Sequence, residues 1–525
     1  MSAITTVETI KQCIINAAIG NDSDKYFDTG LSAIRILLET QCCYRCCLRF
    51  LNAHDLNLFT LSEQELNSLF SQLLEQKKDD ANTTKKDFVC TACVGALQYA
   101  ETFIDDIGKR LEEENYQTKN INLTCTLPIG LLSRDRLLQF YLSDMLKMDK
   151  LIDSPRDPKE PFKFIIAGQI KDKFGVELWN NGPLRMTVVT EHEPTAQEHM
   201  FLTQVENPVL KVRTKRRKGK VQIWGDSRAT VVEALKALKD TEARSLTTIP
   251  PAPQTIKATL SSVQLVHDAA FVGGRYLKNS REYSQTPWTI KGKKLAENSV
   301  SECICETLKK HYRADDYKFV SSGREDANVR MLGTGRPFYC ELINPRRVTF
   351  KKDELAAMQD EINSLPTKDD VQLRDLASIK QTDTKTIKEG EEFKRKTYRA
   401  LVWVSSPVTD EIIDKVNKAG SQPFKIQQNT PARVFQRRAG IIREKEIHFC
   451  KVAKPANVRE DTKEESEKHF AVVTMNTQAG TYIKEFIHGD LGRTQPNFAS
   501  LAGVQAADLI ELDVTDVDLE WPPQK

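Results

Sequence analysis

No apolar run in the sequence approaches the roughly 18 residues that a membrane-spanning helix needs, and the start, MSAITTVETI, carries neither the basic nor the apolar segment of a secretory signal. Both absences point to an intracellular protein of the nucleus or cytoplasm, with no membrane partner. Charge of one sign is not in excess. With 76 Lys and Arg against 73 Asp and Glu the net charge is +3, which excludes a uniformly basic chain and directs attention to local clusters. Histidine is scarce at eight residues, and His192 and His199 in EHEPTAQEH lack a partner set, so both read as surface residues. Apolar residues at 40% and charged residues at 28% are ordinary globular usage, which excludes global disorder and fibrous classes. A length of 525 exceeds what one growing core supports, so several domains are expected.

Cysteine is present in number, and unevenly. Cys43 and Cys46 in QCCYRCCLRF and Cys90 and Cys93 in FVCTACVGAL form two Cys-x-x-Cys pairs. In a reducing compartment such pairs are metal ligands before they are disulfides, because each turn aims two thiolates at one Zn²⁺ and two turns complete a tetrahedral site. With all four ligands thiolate, no position is left for a catalytic water. The zinc is therefore read as structural, fastening a helical module over residues 1–120. Cys42 and Cys47 read as small buried hydrophobes. Cys13, Cys125, Cys303, Cys305, Cys340 and Cys450 have no paired spacing and no assigned chemistry.

Residues 121–257 alternate strand-like runs such as FKFIIAGQI and LRMTVVTEH with the helical ATVVEALKALKD, an α+β pattern. Within them LKVRTKRRKGKVQIWG places seven basic residues between Lys211 and Lys220 on a hairpin-like stretch. That tip suits phosphate, a nuclear-import receptor or plain solvation. SLTTIPPAPQTIK, Ser245 to Lys257, reads as a linker. Beyond it FVGGRYLKNSREYSQTPW interleaves Arg275, Lys278 and Arg281 with aromatics including Tyr276, a composition suited to RNA phosphates and unpaired bases. Arg336, Arg346 and Arg347 extend this basic set, as do Arg437 and Arg438 in PARVFQRRAGIIREK, which read as a phosphate clamp or a solvated face. The charged stretch from KKDELAAMQDE to EGEEFKRK reads as helices with an exposed loop.

One stretch asks for a carboxylate. In SSGREDANVRMLGTGRPF, Arg324 and Asp326 fall two apart, on one side of an extended chain, and Glu325 points away. A carboxylate beside an arginine stays ionised and can serve as nucleophile or base; a turn-capping aspartate is the plain alternative. Near the C-terminus lies MNTQAGTYIKEFIHGDLGRTQPNFASLAGV. Gly323-Arg324-Glu325-Asp326 followed by Gly480-Thr481-Tyr482-Ile483-Lys484 resembles the GR-x-D and GTYI-Arg/Lys motifs of the pseudouridine synthases. With VGGRYLKNSREYSQTPW, GREDANVRMLGTGRPF and QAGTYIKEFIHGDLGRTQPN, the resemblance narrows to the tRNA pseudouridine synthase Pus-ten family of archaea and eukaryotes. It covers about Leu265 to the end and extends to the N-terminal Cys-x-x-Cys pairs.

The resemblance implies an α+β fold in which a catalytic domain over 258–525, with a mixed, largely antiparallel sheet, follows a zinc-bearing accessory region with a THUMP-like RNA-binding part. It implies conversion of uridine to pseudouridine in the TΨC arm of tRNA without an organic cofactor, by a protein taken as monomeric, with other structured RNA left open as a partner. Asp326 is then the nucleophile, Lys484 its partner, Tyr398 in KTYRALVW the ring beneath the target base, and Leu501 in NFASLAG part of the apolar wall. Asn328 stands where the family usually has a second Asp, which bears on that carboxylate and not on the nucleophile. A cation beside Asp326 suits the chemistry, because it offsets the desolvation that would otherwise protonate the acid in a pocket. Two other classes compete: an RNA-binding factor that keeps the fold without the activity, and a glycosidase, which needs a second carboxylate that Glu325 does not provide.

Overall fold

The structure is a computed structural model and describes residues 8, 10–11, 23–75, 88–147, 155–211, 213–217, 220–224, 227–435, 439–456 and 468–523. The chain falls into two compact units, Met1–Val266 and His267–Lys525. The sequence suggested a further boundary near residue 120. One apolar core crosses it, packing Leu48, Phe50, Leu97 and Ile104 with Leu123, Ile165 and Val188. No helix among the described residues is long and apolar enough to cross a membrane.

The first unit carries helices α1 (Ser23–Glu39), α2 (Tyr44–Phe50), α3 (Glu63–Glu75) and α4 (Ile104–Glu114), then β1 (Asn120–Thr126), α5 (Gly130–Leu146) and α6 (Lys159–Phe174). There follow β2 (Glu177–Leu178), β3 (Leu184–Glu191), the hairpin β4 (Arg213–Arg217) and β5 (Lys220–Trp224), α7 (Arg228–Ala237), α8 (Asp240–Leu246) and β6 (Thr259–His267). The sheet order is β2-β1-β3-β6, with β1 parallel to both β2 and β3. The basic hairpin expected from the sequence is present, and its tip lies outside the described residues.

Three expectations for this unit are corrected. The run FKFIIAGQI, read as strand-like, lies within α6. The stretch Ser245 to Lys257 is no free linker: Arg134 donates to the Ala252 carbonyl at 3.0 Å, His192 Nε2 lies 2.8 Å from the Ile256 carbonyl, and Ala258 N donates to Val94 O at 2.7 Å. A bridge between Val89 and Gln254 adds a further contact to the same stretch. His192 and His199, expected at the surface, are both buried.

The second unit contains β7 (Ala270–Lys278), the small hairpin β8 (Thr289–Ile290) and β9 (Lys293–Lys294), α9 (Val300–Tyr312), β10 (Asp316–Ser321), β11 (Val329–Ile343) and α10 (Lys352–Ile362). It continues with β12 (Val371–Ile379), α11 (Thr384–Phe393), β13 (Lys396–Val404), α12 (Asp410–Ala419), β14 (Phe424–Asn429), β15 (Ile442–Ala453) and β16 (Phe470–Thr477). The last elements are α13 (Ile483–His488), β17 (Thr494–Gln495), α14 (Phe498–Ala502) and β18 (Ala507–Val517). One sheet runs β12-β7-β11-β18-β13-β16-β15-β14-β17, with β10 branching from β11. Its pairs are antiparallel except β11 with β18, which gives the mixed, largely antiparallel sheet that was expected.

Local sequence explains the helices that pack on this sheet. In α9, Ser299 accepts from Glu302 N, Lys309, Lys310 and His311 occupy the last turn, and Val300, Ile304 and Leu308 go into the core. Similarly, Thr409 caps α12, whose first turn holds Asp410 and Glu411. β7 follows another rule. It lies between β12 and β11 and is buried from Val272 to Lys278, so its side chains enter the interior on both faces instead of alternating with solvent. β12 itself was missed: the charged stretch was read as helices and loop, yet Val371–Ile379 forms the sheet edge, where one polar face is tolerated.

Candidate functional site

The segment Ser322 to Asn328 connects β10 to β11 and carries the acidic dipeptide. Gly323 sits at φ +89°, and a Cβ there would come within 2.6 Å of Lys396 Nζ. The dihedral favours glycine, and a larger residue would also have to displace the end of the Lys396 side chain. The neighbours that follow then point in opposite directions: the Glu325 side chain is 1% exposed and that of Asp326 is 53% exposed.

The second motif lies between β16 and α13. Gly480 adopts φ +74°, Thr481 Oγ1 donates to Gln478 O at 2.7 Å, and α13 begins one residue after Tyr482. Buried Gln428, on β14, holds the Tyr482 backbone at both ends, its Oε1 accepting from N at 2.9 Å and its Nε2 donating to O at 2.9 Å. This places Lys484 in the first turn of α13, with Nζ 2.9 Å from Asp326 Oδ2. The two residues are 158 apart in sequence.

Electrostatics at Asp326 is a contest. Partial burial pushes its carboxyl up, but the hydrogen bond and charge of Lys484, with the charges of Arg433 and Arg324, outweigh that and hold it below the ordinary carboxylate value. Replacing Lys484 by methionine removes the main opposing contribution. The carboxyl then rises, the acid limb of the pH–rate profile moves upward, and kcat falls on the order of 10²-fold. Because the folded pKa is depressed, the pair's small stabilising effect is present above the unfolded value near 3.9 and is lost as pH falls through the folded one. A profile whose acid limb does not move in Lys484→Met removes Lys484 from this role.

Arg433 adds a further cation. Its Nε lies 2.8 Å from Glu485 Oε1, and Glu485, next to Lys484 on α13, is buried. Sequence reasoning placed Arg433 in a basic run without singling it out; that its partner Glu485 is buried shows only in the fold.

Tyr398 lies on β13, opposite Met475 of β16 and Val514 of β18, partly buried against the core. Burial pushes its hydroxyl up, and Arg336 is close enough for its charge to oppose that shift. Leu501 lies on α14, partly buried against the same core, and α14 packs on α13.

The basic residues expected to meet RNA are placed otherwise. Arg275 is buried and donates to the carbonyls of Thr334 (2.9 Å), Leu519 (2.8 Å) and Val517 (3.2 Å). Lys278 is buried with Nζ on the carbonyls of Ser280 (3.1 Å), Tyr283 (3.0 Å) and Ala327 (2.7 Å), and burial pushes its ammonium down to about 8. Tyr276 and Arg336 are buried on Glu325. These four assignments are corrected: the groups are consumed inside the unit and have nothing to offer a phosphate. Arg281 bonds Glu511 at 2.7 Å and Asp513 at 2.8 Å, Arg346 pairs with Asp315, and Arg347 pairs with Glu354 while covering Phe350. Arg437 and Arg438 lie outside the described residues.

In the first unit, Cys43, Cys46, Cys90 and Cys93 converge, buried, with their sulfurs all within 4.8 Å of one another. The Cys43 and Cys93 sulfurs are 3.9 Å apart, against about 3.8 Å for tetrahedral thiolates at Zn–S near 2.3 Å. Donors already face the sulfurs: Cys43 N and Cys93 N to Cys90 at 3.2 and 3.5 Å, and Arg49 to Cys46 at 3.5 Å. Burial pushes the Cys43 and Cys46 thiols up, the shift that a bound cation reverses. The residues fit a metal ion. Arg49 is also paired with Asp135 of α5, and Arg134 beside it donates to Thr91 O, inside the Cys90–Cys93 turn, at 2.8 Å. Cys42 and Cys47 are buried beside the site, and Cys125, Cys303, Cys305, Cys340 and Cys450 are buried elsewhere.

An aspartate on a GR-x-D loop facing the lysine of a GTYIK helix, at one sheet, is the arrangement that the resemblance to pseudouridine synthases implied. Residues 271–518 match the family described as Pus10, C-terminal, and residues 90–265 match Eukaryotic Pus10, N-terminal. The tRNA pseudouridine synthase Pus10 of Homo sapiens is 32% identical over 536 residues, covering 93% of this chain and 97% of its own. The putative tRNA pseudouridine synthase Pus10 of Drosophila melanogaster is 30% identical over 497 residues, with 91% and 95% covered. The tRNA pseudouridine synthase Pus10 of Methanopyrus kandleri is 37% identical over 258 residues, covering 47% of this chain and 55% of its own. The chain belongs to the Pus10 family.

Proposed function

We propose that this protein is a tRNA pseudouridine synthase that isomerises uridine in the TΨC arm, with Asp326 as nucleophile. The observation that carries the reading is the Asp326–Lys484 contact at 2.9 Å, made by the two motifs of a chain that belongs to the Pus10 family. The reaction breaks the bond from N1 to C1′, turns the base and joins C1′ to C5; N1 gains a proton and C5 loses one, so no atom is added and no oxidant is needed. Asp326 is ionised and half exposed, able to attack the nucleoside while Lys484 keeps it charged as water is excluded. Drawing the base out of its stack costs a few kcal/mol, and a ring beneath it returns ~1–3 kcal/mol. Tyr398 supplies that ring, and Leu501 an apolar wall. The four-cysteine site holds one Zn²⁺, which keeps the accessory unit folded and takes no part in the chemistry.

Unmodified tRNA incubated with the purified protein and mapped at single-nucleotide resolution tests the reading. Pseudouridine is expected at one uridine or two adjacent ones in the TΨC arm. Product confined to other arms overturns the substrate assignment, and no product on any tRNA overturns the activity.

A further inference from the structure

We infer that Glu325 is a positioning residue: its buried carboxylate, held by Arg336, Tyr276 and Gln285, turns Asp326 outward onto Lys484. The inference rests on the reading of Asp326 as the nucleophile. Segments without regular structure are ordinarily the mobile part of a fold, yet a nucleophile has to be held to within about half an ångström. Between Ser322 and Asn328 the chain has no ladder of its own to hold it. Glu325 anchors its centre. Its Oε2 lies 2.7 Å from Arg336 Nε, and Tyr276 donates its hydroxyl to the carboxylate at 2.8 and 3.0 Å. The Gln285 amide lies 2.8 Å from the Tyr276 hydroxyl, 2.8 Å from Ser321 Oγ and 3.0 Å from Gly323 O.

Backbone contacts flank the dipeptide on both sides, one from a partner of Glu325 and two from other side chains. Arg336 donates to Ser322 O at 2.8 Å, before the dipeptide. After it, Lys278 donates to Ala327 O at 2.7 Å and Arg281 to Asn328 O at 2.9 Å. With Glu325 fixed inward, its neighbour in an extended chain has one direction left, and Lys484 stands there.

The test compares Glu325→Gln and Glu325→Asp with wild type and with Val473→Ala, a core variant on β16, in the full chain. Loss of the anchor is expected to lower kcat in Glu325→Gln on the order of 10²-fold, since a misplacement of about 1 Å costs that much, while KM for tRNA stays within about threefold. The acid limb of its pH–rate profile moves upward, because Asp326 leaves Lys484 and keeps only the more distant charges of Arg433 and Arg324. Glu325→Asp, which keeps the charge on a shorter arm, recovers part of kcat. Amide hydrogen exchange over residues 321–328 needs no substrate and is expected to quicken at least about tenfold in Glu325→Gln and to stay unchanged in Val473→Ala. Unchanged exchange over that segment, a Glu325→Gln kcat within twofold of wild type, or an equal kcat loss in Val473→Ala at the same folded fraction each overturns the positioning role. If wild type forms no pseudouridine while the exchange responds as expected, the proposed function fails and the anchoring of the loop stands.

Discussion

Replacing Asp326 by asparagine is expected to abolish pseudouridine formation, by on the order of 10⁴-fold or more, and to leave tRNA affinity within a few-fold of wild type. The two outcomes separate because the interactions differ in kind. An amide of the same shape is no nucleophile, and loss of a covalent catalytic group is felt almost wholly in the chemical step. Binding of RNA is dominated by phosphate contacts, and Asp326 contributes none; removing its charge lightens repulsion and leaves Lys484 exposed enough to be solvated. Product formation under single-turnover conditions, with filter binding at the same salt, reads both quantities. Turnover near the wild-type rate in Asp326→Asn removes this residue from the mechanism.

Cys43→Ser or Cys90→Ser is expected to release one Zn²⁺ per chain and to unfold the part of the first unit that the site ties together. Structural zinc sites are worth ~10–16 kcal/mol of apparent binding free energy, about the whole stability of a domain, so the loss cannot be absorbed. The effect extends beyond the cysteines because Arg49 links Cys46 to Asp135 and Arg134 links the second turn to the strap at Ala252. Elemental analysis gives the metal content, and limited proteolysis with circular dichroism reads the folding. Unchanged zinc in both variants overturns the four-thiolate assignment.

What could be read in the sequence was what short motifs determine. Paired Cys-x-x-Cys spacing located the four cysteines that could hold a metal ion, and GREDA with GTYIK located the two halves of the candidate site, because glycines at positive φ and the residues after them act locally. The orientation of Glu325 away from Asp326 also followed from the period of an extended chain. What could not be read was burial. Arg275, Tyr276 and Lys278 look like an RNA surface by composition, and only the burial of both faces of β7 in the fold turns them inward. The same holds for His192 and for the proline-rich strap, whose partners lie far away in sequence. Single-sequence reading finds the strands it expects to be apolar, and so it passed over β12, with its arginine and aspartate.

The order of strands also governs when reactivity can arise. β11 follows the GREDA loop and β16 precedes GTYIK, and in the sheet they are separated by β18 and β13. β18 comes after both motifs in the chain. A ribosome that has released Asp326 and Lys484 has therefore not yet released the strand that sets them face to face. Every residue of the proposed chemistry can therefore be synthesised before the sheet that joins the two motifs is complete.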